Sequence, residues 1–237
     1  MQNAIIAALR KELIEQADKK TKTSAQHFFK EKVIYYGVES ASVNAIARKY
    51  YRIINKLSKQ EIFALCEDLL RSNYNEEAFI AFDWAFRLHK SYVPDDFILF
   101  ERWLHRYINN WAKCDTFCNH TIGSFIDQYP EYISQLKKWT KSDNRWLRRA
   151  SAVSLIIPAR HGRFLKDIFE IADILLLDDD DLVQKGYGWM LKAASQAHQQ
   201  EVFEYVMRNK KTMPRTALRY AIEKMPKELK LRAMSKD

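Results

Sequence analysis

The chain has 237 residues, with 39 Lys and Arg against 30 Asp and Glu, and its formal net charge is +9. Hydrophobic residues make up 47% of it, which is ordinary for a globular protein and too high for a disordered one. It contains only 5 Gly and 5 Pro. This scarcity argues against an all-β fold, which needs many turns, and against a nucleotide-binding fold with a Gly-rich phosphate loop.

The sequence also carries information about the compartment. No apolar run approaches the ~20 residues that a membrane span needs, and charged residues interrupt the N-terminal segment MQNAIIAALRKELIEQ. Three cysteines, Cys66, Cys114 and Cys118, give no even disulfide framework and fit a reducing environment. We therefore expect a soluble, cytoplasmic, monomeric protein that does not bind membranes.

Along the chain, apolar residues recur at helical spacing. The pattern runs from Ile5 to Ala17, returns from Ile62 to Leu70, and continues from Phe79 to Phe86 and from Phe97 to Tyr107. No segment shows the alternation of a half-buried strand. The sequence therefore predicts an all-α fold.

Several helix starts are marked by capping residues. Ser58 and Glu61 have the spacing of a capping box. Asn144 precedes a helical run, and the acidic block 178–181 precedes another. Glu76 and Glu77 are interpreted as charges that complement a helix dipole. Successive helix pairs without a Gly- or Pro-rich linker favour one domain, residues 1–237, built as an α-solenoid of HEAT type. A compact helical bundle is the alternative.

Positive charge is concentrated in the region 129–170. It contains nine cations on neighbouring predicted helices, namely Lys137, Lys138, Lys141, Arg145, Arg148, Arg149, Arg160, Arg163 and Lys166. A curved helical stack would place them on one concave face that can follow a phosphate backbone. A solvated basic surface without a partner explains the same pattern, so the charge alone leaves both interpretations open.

Two motifs in the second half of the chain are more specific. They are KW-x-x-SDN-x-W-x-x-R-A, from Lys138 to Ala150, and QK-x-x-GW-x-L, from Gln184 to Leu191. A weaker match is FFKEKVIYYGV, in which Gly37 follows an aromatic pair. With these motifs the chain resembles the DNA alkylation repair family, whose best-known members are HEAT-like-repeat DNA glycosylases.

The resemblance implies a function. Active members bind duplex DNA on a concave basic surface and excise cationic N3- or N7-alkylated purines without a metal or organic cofactor. They are thought to do so without drawing the base into a pocket. Such a purine already carries a positive charge, so its glycosidic bond is weak. Aromatic faces can stabilise the cations, and a carboxylate can orient water.

The resemblance also assigns roles to residues. Arg149 falls on a phosphate-contacting arginine, and Arg145, Arg148 and Lys185 are expected to bind DNA beside it. Trp189 falls on a tryptophan that lies against the deoxyribose. Phe28 falls near an aromatic of the second helix, where active members tend to carry Tyr or Trp.

A third element departs from the family pattern. Active members carry W-D-x-V-D on the helix that enters the site, and this chain has CDTFC at 114–118. In that alignment Asp115 is retained, but Cys118 replaces the catalytic aspartate, and an ordinary thiol is mostly neutral at pH 7. A shifted site that uses Trp111 and Asp115 can compensate. Otherwise Asp115 is a helix anchor and Trp111 belongs to the core.

The sequence gives weaker support for a metal site or a cysteine nucleophile. Cys114, Cys118 and His120 lack a further ligand pair nearby, so we predict no metal site, and nothing places a histidine beside a cysteine nucleophile. The favoured function is a DNA glycosylase of the alkylation repair family. The alternatives are a non-catalytic protein that binds damaged or branched DNA, and a protein-interaction scaffold.

Overall fold

The computed structural model describes the backbone of residues 2–235 and the side chains of residues 4–235. The described residues form α-helices, short 3₁₀ turns and one π-helical turn. Their β-type pairing is confined to an isolated parallel bridge between Ile34 and Tyr74. The prediction of an all-α fold is confirmed.

The chain divides into two compact units, Met1–Thr116 and Phe117–Asp237. The described part of unit 1, from residue 2 onward, contains six complete helices, and the boundary falls inside a seventh. These are α1 (Gln2–Glu15), α2 (Lys19–Gln26), α3 (Ser40–Ile54), α4 (Lys59–Arg71), α5 (Asn75–Arg87), α6 (Asp96–Tyr107) and α7 (Trp111–Phe117).

Unit 2 begins at the end of α7, and its residues up to 235 form nine further helices. A π-helical turn, Cys118–Ile122, precedes the first of them. The helices are α8 (Gly123–Gln128), α9 (Ile133–Trp139), α10 (Arg145–Val153), α11 (Ile156–Arg160), α12 (Leu165–Ile174), α13 (Asp181–Ala194), α14 (Gln199–Asn209), α15 (Arg215–Ile222) and α16 (Lys227–Met234).

The predicted helix starts are present. Ser58 and Glu61 form a reciprocal capping box at α4. The Asn144 side chain accepts a hydrogen bond from the backbone N–H of Trp146 at 2.9 Å, and that of Asp180 accepts one from Leu182 at 2.9 Å. Each cap satisfies an N–H group that the helix itself leaves unpaired.

The core of unit 1 is rich in large aromatic rings. Phe100, Trp84 and Trp103 are fully buried, and Phe63 meets Phe100 and Trp103 edge to face. The Trp84 indole N–H donates to the carbonyl of Ala47 at 2.9 Å, so α5 is tied to α3. This packing supports the helices that carry the pocket described below.

The core of unit 2 is centred on α13. Tyr187 and Met190 are fully buried in it. At Gly188 a Cβ would lie 2.7 Å from the carbonyl oxygen of Ala217, so the absence of a side chain allows α13 and α15 to pack closely. In residues 2–235 no helix is both long and apolar enough to cross a membrane.

Candidate functional site

Unit 1 contains a pocket of about 590 Å³ with aromatic walls. Its aromatic side chains are Phe28, Phe29, Tyr35, Phe79 and Trp111. Its charged side chains are Asp18, Lys20, Glu39 and Glu76. The pocket therefore includes two residues that the sequence singled out, Phe28 and Trp111, although they stand far apart in the chain.

Trp111 is fixed on two sides. Its indole N–H donates to the carbonyl of Phe28 at 3.2 Å. The ring of Phe29 stacks on it, with centroids 5.2 Å apart and planes at 18°. Phe28 itself is 71% exposed, which is unusual for a large apolar ring. An exposed aromatic beside a fixed tryptophan is typical of a binding surface rather than of a core.

A short strap, residues 36–38, closes one side of the pocket. The buried Glu76 carboxylate accepts hydrogen bonds from the backbone N–H groups of Tyr36, Gly37 and Val38 at 3.2, 2.9 and 3.2 Å. Gly37 has a φ of 103°, and a Cβ there would lie 2.4 Å from the carbonyl oxygen of Asp18. Glycine is required at this turn both by the backbone conformation and by the lack of space.

Asp115 lies on α7, four residues after Trp111, and is half-buried. Residues four apart share a helix face, so the carboxylate and the indole belong to one face of α7. Cys114 and Cys118 are fully buried, which fits inert core thiols. Among the described residues no group of three or more His, Cys, Asp or Glu is placed to hold a metal ion.

The predicted DNA-binding cations of unit 2 lie around the acidic block 178–181. Arg145 forms an ion pair with Asp180 at 2.7 Å, and Arg148 forms one with Asp178 at 2.7 Å. The hydrogen bond to Asp178 raises the pKa of the Arg148 guanidinium. Burial alone would raise the pKa of Asp180, but hydrogen bonds from Arg145 and from the backbone lower it. Asp180 is therefore an ionised partner of Arg145.

Arg149 and Lys185 belong to the same group. Arg149 is only 5% exposed, and its guanidinium donates a short hydrogen bond to the carbonyl of Leu182. Gly186 leaves room for the Arg149 chain, because a Cβ there would lie 3.3 Å from its Cγ. Lys185 pairs with Asp181 at 3.0 Å. The structure thus brings the four predicted cations of α10 and α13 to one place, with an acid or a carbonyl beside each.

Trp189 lies one turn further along α13 and is half-buried. The Lys192 ammonium lies 5.9 Å from its ring centroid and 5.5 Å from that of Tyr220. Lys192 also pairs with Glu223 at 2.8 Å. The indole is therefore part of a mixed aromatic and charged cluster rather than of the apolar core.

Other cations of the basic region differ in their surroundings. Lys137 lies between Asp167 and Glu170, and Arg163 pairs with Asp127 at 2.7 Å. Three exposed cations have no ion pair in the part of the chain that the structure describes, namely Lys138, Lys141 and Arg160. Lys166 is also exposed, at 90% of its side chain, and lies 3.9 Å from Glu170.

Several functional candidates were missed by sequence reasoning. Phe29, Tyr35 and Glu39 line the pocket, and Glu76 holds its strap. The signal was partly visible, because the segment FFKEKVIYYGV contains two aromatic pairs and the glycine of the strap. The hydrogen bond between Gly37 and Glu76 joins residues 39 positions apart, so the spacing of neighbouring residues could not predict it.

Comparison with known proteins finds a family model and solved structures that are similar to this chain. A family model described as "DNA alkylation repair enzyme" matches residues 9–225. A solved structure from Enterococcus faecalis, described as a predicted DNA alkylation repair enzyme, superposes with a TM-score of 0.80 at 15% sequence identity, covering 90% of this chain and 98% of the other. At that identity the second match shows the fold alone. No curated protein matches the chain.

Proposed function

This chain belongs to the DNA alkylation repair enzyme family, and on that premise we propose that it is a DNA glycosylase that hydrolyses the glycosidic bond of cationic N3- or N7-alkylated purines in duplex DNA. The proposal includes HEAT-like repeats with a basic concave face, a monomeric state, a cytoplasmic location and no metal or organic cofactor. The repeat architecture is supported by the unbroken succession of helices from α1 to α16 in the described residues.

The observation that carries the proposal is that Trp111 and Asp115 lie four residues apart on α7 and so share one face of that helix. Started at Trp111, the segment WAKCD retains the tryptophan and the last aspartate of the family element W-D-x-V-D. The alignment that begins at Cys114 instead assigns the two functional positions to thiols that are fully buried. Only the alignment from Trp111 gives partly accessible side chains of the required chemistry.

The chemistry follows from the leaving group. An alkylated purine departs as a neutral base and leaves positive charge on the sugar. The Asp115 carboxylate is proposed to stabilise that charge and to orient the attacking water, and the indole face of Trp111 adds a cation–π attraction. No group has to protonate the base, because the alkyl group has already supplied its positive charge.

The residues of unit 2 are proposed to bind DNA. Arg145 and Lys185 keep about a third of their side-chain surface exposed, at 35% and 33%, so they can exchange a carboxylate for a phosphate. Arg149 is nearly buried and is proposed to act by fixing the start of α13, which carries Trp189. Trp189 is proposed to lie against the sugar. Phe28 in unit 1 is proposed to contact the DNA through its exposed ring.

One observation favours a second function, binding of damaged or branched DNA without catalysis. The element W-D-x-V-D keeps only its first and last residues here, because Ala112 and Cys114 stand where that element has Asp and Val. A helix that retains its aromatic contact but has lost its supporting polar group can bind a lesion without hydrolysing it. The scaffold alternative has no such support.

The test is base release from a duplex with one N7-methylguanine, measured by chromatography under single-turnover conditions. Asp115→Asn should lower the rate about 100- to 1000-fold, the usual cost of removing a preorganised electrostatic group. Asp95→Asn, at an exposed cap of α6 without a side-chain hydrogen bond, is the control and should leave the rate unchanged.

Two results would overturn the proposal in different ways. If the wild-type chain releases no base but binds the duplex with an affinity that falls steeply with salt, as phosphate contacts require, the non-catalytic function replaces it. If neither release nor salt-dependent binding is found, both DNA functions are wrong and the scaffold alternative remains.

A further inference from the structure

The segment 27–38 joins α2 to α3 without a helix of its own, and its first residues contact α7. The carbonyl of Phe28 accepts the indole N–H of Trp111 at 3.2 Å. The ring of Phe29 stacks on the same indole, with centroids 5.2 Å apart and planes at 18°. Two neighbouring residues of this segment therefore make two different contacts with one side chain of the proposed site.

The two contacts restrain different motions of the indole. An indole has a single N–H donor, so the hydrogen bond fixes one edge but allows the ring to turn about the N–H···O axis. The Phe29 ring lies against one face of the indole and opposes that rotation. It also covers that face, so a cationic sugar can approach only the opposite one. Phe29 thereby determines both the plane of the Trp111 indole and the face that it offers.

The later part of the segment is held on α5. The buried Glu76 carboxylate accepts the three backbone N–H groups of the strap. The Tyr36 hydroxyl donates to the fully buried carboxylate of Glu77 at 2.6 Å. The ring of Tyr36 also stacks on that of Tyr74, with centroids 4.0 Å apart and planes at 15°. Phe29 therefore belongs to a segment that is anchored at its far end by buried groups.

The start of the segment is tied to Gln26, the last residue of α2. The Gln26 carbonyl accepts the backbone N–H of Phe29 at 3.1 Å. The Gln26 side-chain NH₂ donates to the carbonyl of Glu31 at 2.9 Å, and its side-chain oxygen accepts the backbone N–H of Val33 at 3.2 Å. The backbone on both sides of Phe29 is therefore fixed by the chain itself, as a side chain that positions another requires.

We propose that Phe29 is a positioning residue of the proposed reaction: it touches no substrate and acts by fixing the plane of the Trp111 indole on the helix face that also carries Asp115. The inference rests on the proposed function and deepens it. Phe28 contributes to the same effect only through its backbone carbonyl, so its exposed ring remains available to DNA. The alternative is that the stack of Phe29 on Trp111 adds stability alone, as any other aromatic pair does.

A second stacked pair provides a matched control. The half-buried ring of Phe169 on α12 stacks on that of Tyr205, with centroids 4.8 Å apart and planes at 2°. Neither ring belongs to the proposed site. Phe29→Leu and Phe169→Leu each replace a half-buried stacked ring with an aliphatic side chain, so both should lower the stability of the fold. Only Phe29→Leu should affect Trp111 and the reaction.

The first experiment observes Trp111 without catalysis. The protein is labelled with 5-fluorotryptophan, and the Trp111 resonance in the fluorine NMR spectrum is assigned by its loss in Trp111→Phe. Phe29→Leu should broaden or split this resonance, because the indole gains rotational freedom. Phe29→Tyr keeps a stacking ring and should keep the resonance single and sharp, as should Phe169→Leu. A Trp111 resonance that is as sharp in Phe29→Leu as in the wild type would overturn the proposal.

The second experiment measures release of N7-methylguanine from duplex DNA in single turnovers over a range of protein concentrations. Phe29→Leu should lower the rate at saturating protein about tenfold, since misplacing a catalytic group by about 1 Å costs up to ~100-fold. The half-saturating protein concentration should stay within about twofold of the wild-type value, because Phe29 touches no DNA. Phe29→Tyr and Phe169→Leu should both keep the wild-type rate.

Two kinetic results would contradict the positioning role. If Phe169→Leu slows release as much as Phe29→Leu does, the loss reflects stability and not the placement of Trp111. If Phe29→Tyr is as slow as Phe29→Leu, a stacking ring is not what the reaction requires at this position. Either result would overturn the proposal.

Failure of this proposal is separable from failure of the proposed function. If the wild-type chain releases base and Phe29→Leu releases it equally fast, the glycosylase stands and the positioning role is wrong. If the wild-type chain releases no base, the proposed function is wrong, and the fluorine spectra still decide whether Phe29 fixes the Trp111 indole.

Discussion

The two units differ in the groups that compensate their charged side chains. In unit 1 the pocket combines aromatic rings with carboxylates, and Glu76 is satisfied entirely by backbone N–H groups. In unit 2 the predicted DNA-binding arginines Arg145 and Arg148 are paired with Asp180 and Asp178. The first arrangement compensates a buried carboxylate with backbone N–H groups. The second compensates two arginines with carboxylates.

The contrast shows why net charge is a poor guide to accessible charge. The chain has a formal charge of +9, yet its densest basic cluster lies beside its densest acidic one. DNA binding at such a cluster is an exchange of carboxylate for phosphate, so its free energy is smaller than a count of arginines would suggest. If the chain binds DNA as proposed, accessible cations such as Lys138 and Lys141 would contribute to the encounter without that exchange.

The largest expected effect comes from the strap of unit 1. Gly37→Ala places a Cβ 2.4 Å from the Asp18 carbonyl at a φ of 103°. Strain and overpacking each cost about 1–3 kcal/mol, so the free energy of unfolding should fall by about 4 kcal/mol. Hydrogen exchange should show the loss around Asp18, Gly37 and Glu76.

Gly186→Ala is the control in unit 2. Its Cβ would meet the flexible Arg149 side chain at 3.3 Å, and alanine favours a helix by about 1 kcal/mol over glycine. The free energy of unfolding should change by less than about 1 kcal/mol. If the free energy of unfolding fell as much as in Gly37→Ala, the backbone at Gly37 would be no more constrained than the backbone at a glycine inside a helix.

A second effect of similar size on the free energy of unfolding comes from a buried lysine. Lys113 is 1% exposed, and its ammonium donates to the Asn73 carbonyl and to the side-chain oxygens of Asn73 and Asn109, at 3.2, 2.7 and 3.2 Å. All three acceptors are uncharged. Burial therefore lowers the pKa of Lys113 to about 8, the reverse of what Asp178 does to Arg148. The residue ties the start of α7, and hence Trp111, to the turn before α5.

The sign of the pH dependence follows from this pKa. Between pH 8 and about 10.5 the unfolded chain holds a proton on Lys113 that the folded chain has lost, so folding becomes more favourable as pH rises. The full change is about 3 kcal/mol at about 1.4 kcal/mol per pH unit. Urea unfolding of wild type and of Lys113→Met should differ increasingly in favour of wild type across this range. A constant difference would mean that the ammonium is not penalised by burial.

Whether a feature of the structure could be predicted depends on how far apart in the sequence its residues lie. The all-α fold, the capping box at Ser58 and the caps at Asn144 and Asp180 follow from patterns within one helix. The family followed from two local motifs. Phe28, Trp111 and Asp115 were named as candidates from resemblance and spacing, and the structure places the first two in one pocket.

Long-range pairing was not predictable. Glu76 was interpreted as a charge at a helix start, which it is, but its bonds to the strap join residues 38 to 40 positions apart. The acidic block was likewise interpreted as a helix start, and its pairing with Arg145 and Arg148 spans 35 and 30 positions. Helical periodicity reports which face a residue occupies but not which neighbouring helix that face meets.

The smallest expected effect on the free energy of unfolding concerns an ion pair of unit 2. Asp178→Asn removes the partner of Arg148, whose side chain is 18% exposed. The guanidinium keeps its hydrogen bonds to the carbonyls of Ser142 and Asp143, at 2.9 and 3.2 Å, so the free energy of unfolding should fall by only about 2 kcal/mol. Asp179→Asn, an exposed neighbour in the same block, should cost less than about 0.5 kcal/mol.

The same pair of variants tests whether Arg148 contacts DNA. Each raises the net charge by one, so any gain in long-range attraction to the duplex is shared. Only Asp178→Asn frees the Arg148 guanidinium from an ion pair that a phosphate would have to replace. If Arg148 contacts the backbone, Asp178→Asn should bind duplex DNA more tightly than Asp179→Asn, with a steeper dependence of affinity on salt. Equal affinities and slopes would show that Arg148 supports the acidic block and stays off the DNA, leaving Arg145 and Lys185 as the cations of this cluster that reach it.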